Sequence, residues 1–383
     1  MKDVKIVIGA NYGDEGKGLM TRHFAKEANA IHANPIVIFH NGTAQRGHTV
    51  DYSPEFRHVY HHFGSGTADG VPTFFAKTFL VHPMEYVREY NELSRNKIYP
   101  QVFCDPEAKV ITPFDMLVDH ITEAHIARLA GEREYGSCGY GSWCATDRFP
   151  RVAYTVADFA NPNVVPVLMN KIWNECEAQL ILRGVDVDAL PQYRQYFEPN
   201  SVAKRNLIKH FENDLHFFFA TVQLVSFDNI WATHDYAIFE NGQGLGLDMD
   251  VPNDWHTTSH TGLVNPVEML KDKRDFSAEV CYVTRAYLTR HGVGPLEEAV
   301  KKSEINADMH DRTNIPNEFQ GSLRYGFIED DDQADRIIKD YSLVMGDHRF
   351  KYNMAVTHCN EFEIPKQLSK YYSDNPFEVK ERD

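Results

Sequence analysis

The segment Gly9-Ala-Asn-Tyr-Gly-Asp-Glu-Gly-Lys-Gly18 follows directly on the apolar run Val4-Lys-Ile-Val-Ile8. Its glycines let backbone N–H groups close around a phosphate, and a helix beginning near Lys17 adds positive potential at its N-terminus. Lys17 brings a mobile charge. Asp14 and Glu15 do not suit a loop that only holds phosphate, because carboxylates repel that ligand. Either a metal ion lies between, or a carboxylate performs chemistry. The loop departs from the P-loop pattern G-x-x-x-x-G-K-[ST]. Gly18 follows Lys17, and Asn11 stands where the first glycine belongs. Asp14 is the natural replacement for the missing magnesium-binding hydroxyl. A mere surface turn would not bring strand, glycines, lysine and helix in this order.

A second cluster is His40-Asn-Gly-Thr-Ala-Gln-Arg-Gly-His-Thr49. His48 follows Gly47, so its ring meets little steric hindrance beside a ligand. A lone histidine is more often structural, but this one sits at a strand exit next to the first loop. His58, His61 and His62 do not make a metal cluster, since adjacent positions 61 and 62 do not share a face. His61 is a further candidate for phosphate. Gly136-Ser-Cys-Gly-Tyr-Gly-Ser-Trp-Cys144 is a second glycine-rich loop.

Elements that position these residues follow from periodicity. Residues 4–9 and 35–39 read as buried strands, with a helix from about Lys17 to Ala28 between them. That is a βαβ unit, which implies a parallel sheet. Phe74–Val81 is apolar, and Pro83–Leu93 and Phe114–Leu129 are helical by period. Residues 163–183 and 198–226 carry long helical patterns. Tyr236–Glu240 is a strand running into Asn241-Gly-Gln-Gly-Leu-Gly246. Val280–Arg290 and Met354–Thr357 read as strands, and Asp332–Met345 as a helix. The expected fold class is α/β, a mostly parallel central sheet with flanking helices and a P-loop-like phosphate loop. Residues 1–383 are expected to form a single domain with helical insertions. Loops 9–18, 40–48, 240–246 and 357–361 all leave strand ends, so they should line one crevice.

The chain has 383 residues, 43% hydrophobic and 25% charged, and a formal charge of −16. That charge argues against nucleic acid or anionic membrane as partner, so local cations must meet any phosphate. Six cysteines lie scattered without CxxC spacing, which suggests neither zinc nor disulfides. Reduced thiols fit a cytoplasmic protein. Met1 leads straight into a strand, so no signal peptide is expected. No apolar run approaches the ~18 residues of a membrane span.

Several motifs together resemble one family. G-D-E-G-K-G after the first strand and G-H-T after the second are the signature pair of adenylosuccinate synthetases. Phe239-Glu-Asn-Gly-Gln-Gly-Leu-Gly-Leu-Asp248 is similar to that family's F-E-G-A-Q-G-x-x-L-D. Thr257-Thr-Ser259 is similar to V-T-S, Thr289-Arg-His-Gly-Val-Gly-Pro295 to T-R-V-G-x-G-P, and Asn317-Glu-Phe319 to N-E-F. The resemblance implies a two-step ligation. A nucleoside triphosphate phosphorylates O6 of a 6-oxopurine nucleotide, and the amine of L-aspartate then displaces the phosphate. Asp14 matches the base that removes the N1 proton, and His48 the acid at O6. Mg2+ bridges the triphosphate, with Asp14 and the Gly47 carbonyl as candidate ligands. Lys17 would hold the transferring phosphoryl group, and Gln243 would contact the 6-position. Gly13, Glu15, Gly16, Gly18, Gly47 and Thr49 are the expected nucleotide positions, with His358 and Asn360 at its base. Asn11, Gln45, Ser137, Cys138, Arg151, Gln243, Thr258 and Arg324 are expected at the acceptor and aspartate. The resemblance also implies a homodimer, with Arg148 or Arg151 reaching across the interface.

Three departures bear on substrate. The family's T-T-G-R-G is here Ser137-Cys-Gly-Tyr-Gly141, and its arginine-rich aspartate loop is shortened to Gln320-Gly-Ser-Leu-Arg324. Arg324 is the surviving partner for the aspartate carboxylate. Where the family reads guanine with T-K-x-D, this chain has Thr357-His-Cys-Asn360. Asn pairs a donor with an acceptor and matches adenine, so ATP or dATP is the expected donor. With the chain ending at Asp383, the pattern resembles the phage branch, which ligates aspartate to dGMP for 2-aminoadenine DNA. Asp14, which some of that branch replace, leaves IMP as the other acceptor. A non-catalytic nucleotide-binding regulator is the reading of another class, and Asp14, Lys17, His48 and Gln243 speak against it. A dinucleotide-dependent oxidoreductase would need G-x-G-x-x-G, which residues 9–18 lack.

Overall fold

The apolar run at the N-terminus becomes the middle of a parallel sheet. In the computed structural model, which describes residues 1–131, 137–251, 257–292, 294–296, 299–309, 321–328, 330–363 and 377–378, strand β1 spans Lys2–Gly9. It pairs in parallel with Tyr236–Glu240 on one side and Phe276–Arg285 on the other. Beyond Tyr236–Glu240 lie β2 (Pro35–Phe39), then Thr73–Phe75, Val102–Cys104 and Val222–Leu224. Beyond Phe276–Arg285 lie Phe350–Thr357 and the short Phe377–Glu378. Every pairing in this nine-stranded sheet of described residues is parallel.

Both faces are covered, which explains the continuous apolar runs of the central strands. Val7, Val37, Phe39 and Phe75 point into one core with Met20, Phe24 and Phe63. Ile6, Ile8, Ile36, Ile38 and Phe74 point into the other with Tyr282 and Val280. Helix α1 (Lys17–Ala30) buries Met20, Phe24, Ala25 and Ala28 against the first core. Long helices Pro113–Ala130, Val165–Leu182 and Val202–Thr221 pack on that side as well. No helix of the described residues is long and apolar enough to cross a membrane.

The expected α/β class holds, and several boundaries change. The helical pattern expected through 226 stops at Thr221, and Val222–Leu224 turns into the edge of the sheet. The strand expected at Val280–Arg290 begins at Phe276 and ends at Arg285. Leu288–Arg290 then pairs antiparallel with Arg324–Gly326 in a separate small sheet. Phe74–Val81 divides into two strands in two sheets, Thr73–Phe75 and Leu80–Val81. The C-terminal helix runs Asp330–Tyr341 with a 3-10 turn after it. A hairpin, His48–Ser53 with Phe56–Tyr60, carries too many polar residues to have stood out by alternation.

Candidate active site

Because the strands run parallel, their carboxyl ends meet at one edge, and the loops leaving them touch. The two loop carboxylates take opposite directions. Glu15 turns inward and is buried: its Oε1 accepts from the amides of Asn11 at 3.0 Å and Gly13 at 2.8 Å. Its Oε2 accepts from Lys17 Nζ at 2.7 Å. Expected at the nucleotide, Glu15 is instead the loop's internal anion, because two amides and an ammonium claim its oxygens. Asp14 stands outside this knot at φ 61°. Its Oδ2 lies 3.5 Å from Nε2 of His291. Gly16 caps α1 at φ 97°, and the first helical turn contains no acidic residue. The helix amides therefore remain a favourable seat for an anion.

His48 opens the hairpin beside this loop. A Cβ on Gly18 would lie 3.0 Å from both His48 Cβ and Ser65 Oγ, so a side chain there would crowd both. His48 Nδ1 donates to Glu240 Oε1 at 2.5 Å. Glu240 also accepts from Ser65 Oγ at 2.5 Å and Ser65 N at 3.0 Å. Burial pushes the His48 imidazole down despite Glu240, and Lys17 and Arg46 add to that push. Burial also acts to raise Glu240, but His48 and Ser65 outweigh it and hold the carboxyl below its ordinary range. The pair is thus a carboxylate with a neutral imidazole protonated on Nδ1. Nε2 of His48 is buried without a protein partner, which leaves it for a ligand. Arg46 lies fully buried behind the pair, donating to the carbonyls of Glu240 and Asn41. Burial brings it down to about 10, still charged at neutral pH.

Gln243 sits at φ 58° with its Oε1 buried and unpartnered. A Cβ on Gly42 would lie 3.0 Å from that oxygen and 3.2 Å from Gln45 Nε2. Gln243 and Gln45 therefore meet over Gly42, although 198 positions separate them (243 − 45). Gln45 Oε1 is occupied by the Thr43 amide at 2.8 Å. Gly47 and Thr49 flank His48 at the start of the hairpin. Ser259, next to Thr258, accepts from the Gly42 amide at 3.2 Å. Asn11, expected at the substrate, is buried in structural bonds. Its Oδ1 accepts from Gln333 at 3.1 Å and Arg336 at 3.0 Å, and its Nδ2 donates to Thr284 at 2.9 Å.

The segment Thr357–Asn360, expected at the donor base, closes on the first loop. Thr357 Oγ1 donates to the Glu15 carbonyl at 2.8 Å, and His358 Nδ1 lies 2.9 Å from the same hydroxyl. Asn360 is exposed. In the second glycine loop, Ser137 Oγ donates to Asp119 at 2.6 Å, and Asp119 also accepts from the Gly141 amide. Cys138 is raised by burial to about 11 and stays a thiol. The alternative of Arg148 as the arginine that crosses an interface is corrected. It is fully buried, and its Nε and Nη2 each donate to Asp115 at 2.8 Å. Arg151 is exposed on the surface beside Glu175 and Asp147. Arg324 stands opposite Arg290 in the small sheet and donates to the Gly294 carbonyl at 2.8 Å. Asn317-Glu-Phe319, Gln320 and Gly136 lie outside the described residues.

The family model for adenylosuccinate synthetase matches residues 6–321. The chain belongs to the adenylosuccinate synthetase family. Among curated relatives, the synthetase of Thermosipho africanus is 25% identical over 297 residues, covering 76% of this chain and 65% of the relative. That of Clostridium botulinum is 26% identical over 299 residues, covering 76% and 64%. The chain therefore spans slightly less than two thirds of these relatives. Two solved structures share the fold. Fully ligated adenylosuccinate synthetase from Plasmodium falciparum superposes with TM-score 0.68 at 17% identity, covering 92% of this chain and 76% of that one. Succinoaminodeoxyadenylate synthetase (PurZ) of cyanophage S-2L, bound to dGMP and dATP, superposes with TM-score 0.60 at 14% identity, covering 99% and 91%.

Within this member of the synthetase family, four site residues were not singled out by sequence. Glu240 is visible only as a charge at the end of a fully buried strand, which is itself a signal. Ser65, Arg285 and His291 reach the site through tertiary packing alone. His291 stands where the family motif T-R-V-G has valine. The carboxylate of Asp14 and the carbonyl of Gly47 are hard oxygen donors of the kind magnesium takes.

Proposed function

We propose that this chain is a purine nucleotide–aspartate ligase that joins L-aspartate to dGMP at the expense of ATP or dATP. The observation that carries the ligase assignment is the convergence of Asp14, Lys17, His48–Glu240 and Gln243 at one edge of the sheet. Asp14 takes the N1 proton, making O6 of the acceptor nucleophilic. O6 attacks the γ-phosphoryl group, which Lys17 and the α1 amides hold, and the bond to the β–γ bridging oxygen breaks, so that the nucleoside diphosphate leaves. Negative charge arriving beside Nε2 favours protonated His48, which then donates to the oxygen that carries the phosphoryl group. The aspartate amine adds at C6 and phosphate leaves. Magnesium bound by Asp14 and Gly47 would neutralise charge on the triphosphate. Arg324 is the proposed carboxylate partner for aspartate, with Gln45 and Thr258 near the acceptor and Ser137 and Cys138 near its phosphate. Arg151, exposed, is the proposed residue at a homodimer interface.

Asn360 supports an adenine donor, since its amide matches adenine N6 and N1. The likeness to the phage enzyme over nearly its whole length supports dGMP. Asp14 favours the second reading, an adenylosuccinate synthetase acting on IMP. The test is a mass assay of the purified chain with aspartate, Mg2+, ATP or dATP, and either dGMP or IMP. The succinyl adduct of dGMP is expected. Adduct from IMP with none from dGMP overturns the acceptor assignment, and no adduct from either overturns the ligase.

A further inference from the structure

Asp14 holds left-handed backbone space at φ 61°, after Gly13 at φ 98° and two residues before Gly16 at φ 97°. A residue with a side chain keeps that conformation where its surroundings impose it. Its restraint is on the carbonyl: Arg285 Nε donates to Asp14 O at 2.5 Å. Arg285 is 1% exposed and ends the strand Phe276–Arg285, where its Cα pairs with Thr357. Nη1 of Arg285 donates to the hydroxyl of Tyr287 at 3.1 Å. That hydroxyl donates to Oε2 of Glu361. Burial, opposed by Arg285 and reinforced by Glu361, pushes the Tyr287 phenol up, so it keeps the proton it gives. Asn306 Nδ2 donates to the Glu361 carbonyl at 2.9 Å and fixes that end.

Glu361 adjoins Asn360, the proposed reader of the donor base. A second tie runs beside this one. Thr357 donates to the Glu15 carbonyl, and a Cβ on Gly16 would lie 2.8 Å from Thr357 Cγ2. The phosphate loop and the base-reading segment are therefore interlocked at two neighbouring carbonyls, Asp14 and Glu15.

Resting on the assignment of Asp14 as base, we propose that Arg285 is a positioning residue that orients Asp14 and is itself set by Tyr287 and Glu361. The segment that reads the donor base and the group that activates the acceptor are then one mechanical unit. A donor base that orders residues 357–361 also orders Asp14. A planar guanidinium sends donors in fixed directions to both partners, whereas a lysine ammonium is a point charge on a flexible stem and does not fix one partner relative to the other.

The test uses the whole chain with the acceptor that turns over, at saturating ATP and aspartate. Arg285→Ala is expected to lower kcat by about 10- to 100-fold, the scale of a misplaced reacting group. Its KM values should stay within about threefold, and added methylguanidine should restore part of kcat. Tyr287→Phe, which removes one hydroxyl, is expected to lower kcat by several-fold. Tyr287→Phe with Glu361→Gln should be no worse than Tyr287→Phe alone, because the two act in series. Unfolding midpoints establish that each variant is folded. Unchanged kcat in folded Arg285→Ala and Tyr287→Phe overturns the proposal, as does a loss confined to KM. Asp14→Asn separates the two levels: full turnover in it removes the base assignment, whereas an inactive Asp14→Asn beside unaffected Arg285 variants removes only the positioning role.

Discussion

Glu240→Gln isolates the charge behind His48. The Glu240 carboxylate takes three donors, His48 Nδ1 at 2.5 Å, Ser65 Oγ at 2.5 Å and Ser65 N at 3.0 Å. Glutamine preserves the shape but replaces one oxygen by an NH2 group. If that group faces Ser65 N, two buried donors collide. If it faces His48, Nδ1 must accept, and the imidazole proton moves to Nε2. Either way the anion that stabilises an imidazolium is gone. A hydrogen bond to a charged group contributes about 1.5–3 kcal/mol. Expressed fully in the transition state, that is about 10- to 150-fold in rate. The expected result is a fall in kcat of that size with nucleotide KM values little changed, read by mass detection of the succinyl product. Thermal unfolding confirms that the variant is folded. A folded Glu240→Gln with kcat within about twofold of the parent would refute the dyad, because a charge-assisted bond cannot matter that little if His48 cycles through a cation.

Other outcomes follow from the same contacts. Asn360→Asp should raise the kcat/KM ratio of GTP to ATP by about tenfold or more, since a carboxylate accepts from two guanine donors; a donor competition assay reads it. His40 and His82 are fully buried, and burial pushes them to about 3 and about 4, with Asn241 opposing at His40 and Glu85 at His82. The unfolded chain binds their protons below about 6.5, so their full contribution holds above that pH and is lost as pH falls through 4 to 3. At pH 5 each is expected to destabilise by about 2 kcal/mol relative to neutral pH, and a urea midpoint that does not move between pH 7.5 and 5 would contradict this. Asp115→Ala strands Arg148 in the interior and should destabilise by about 3–5 kcal/mol in denaturant unfolding.

Much of the scaffold is legible from residue order. The first βαβ unit, the Tyr236–Glu240 strand and the helices after Pro83 and Pro113 follow from period and end signals. The edge strand Val222–Leu224 was hidden because the apolar spacing of the preceding helix runs on through it. The stop at Arg285 was hidden because Ala286, Tyr287 and Leu288 are as apolar as the strand before them. Where the ladder partner ends, the strand ends, and only the neighbouring strand knows that.

At the site, sequence alone determined which chemistry is available: a glycine loop at a helix start, a lysine, two carboxylates and a histidine at the next strand exit. Local order is enough, because phosphate binding is built from consecutive residues. It singled out Asp14 for chemistry but could not show that Glu15, a neighbour of the same charge type, turns inward. The tertiary structure divides them. A backbone at φ 61° and the Arg285 bond turn Asp14 outward, while Lys17 and two amides draw Glu15 in. Nor could sequence pair His48 with Glu240, 192 positions away. That pairing exists because β2, which leads into the hairpin, lies beside Tyr236–Glu240 in the sheet. Strand order is decided by packing, and the proton chemistry of His48 is decided with it.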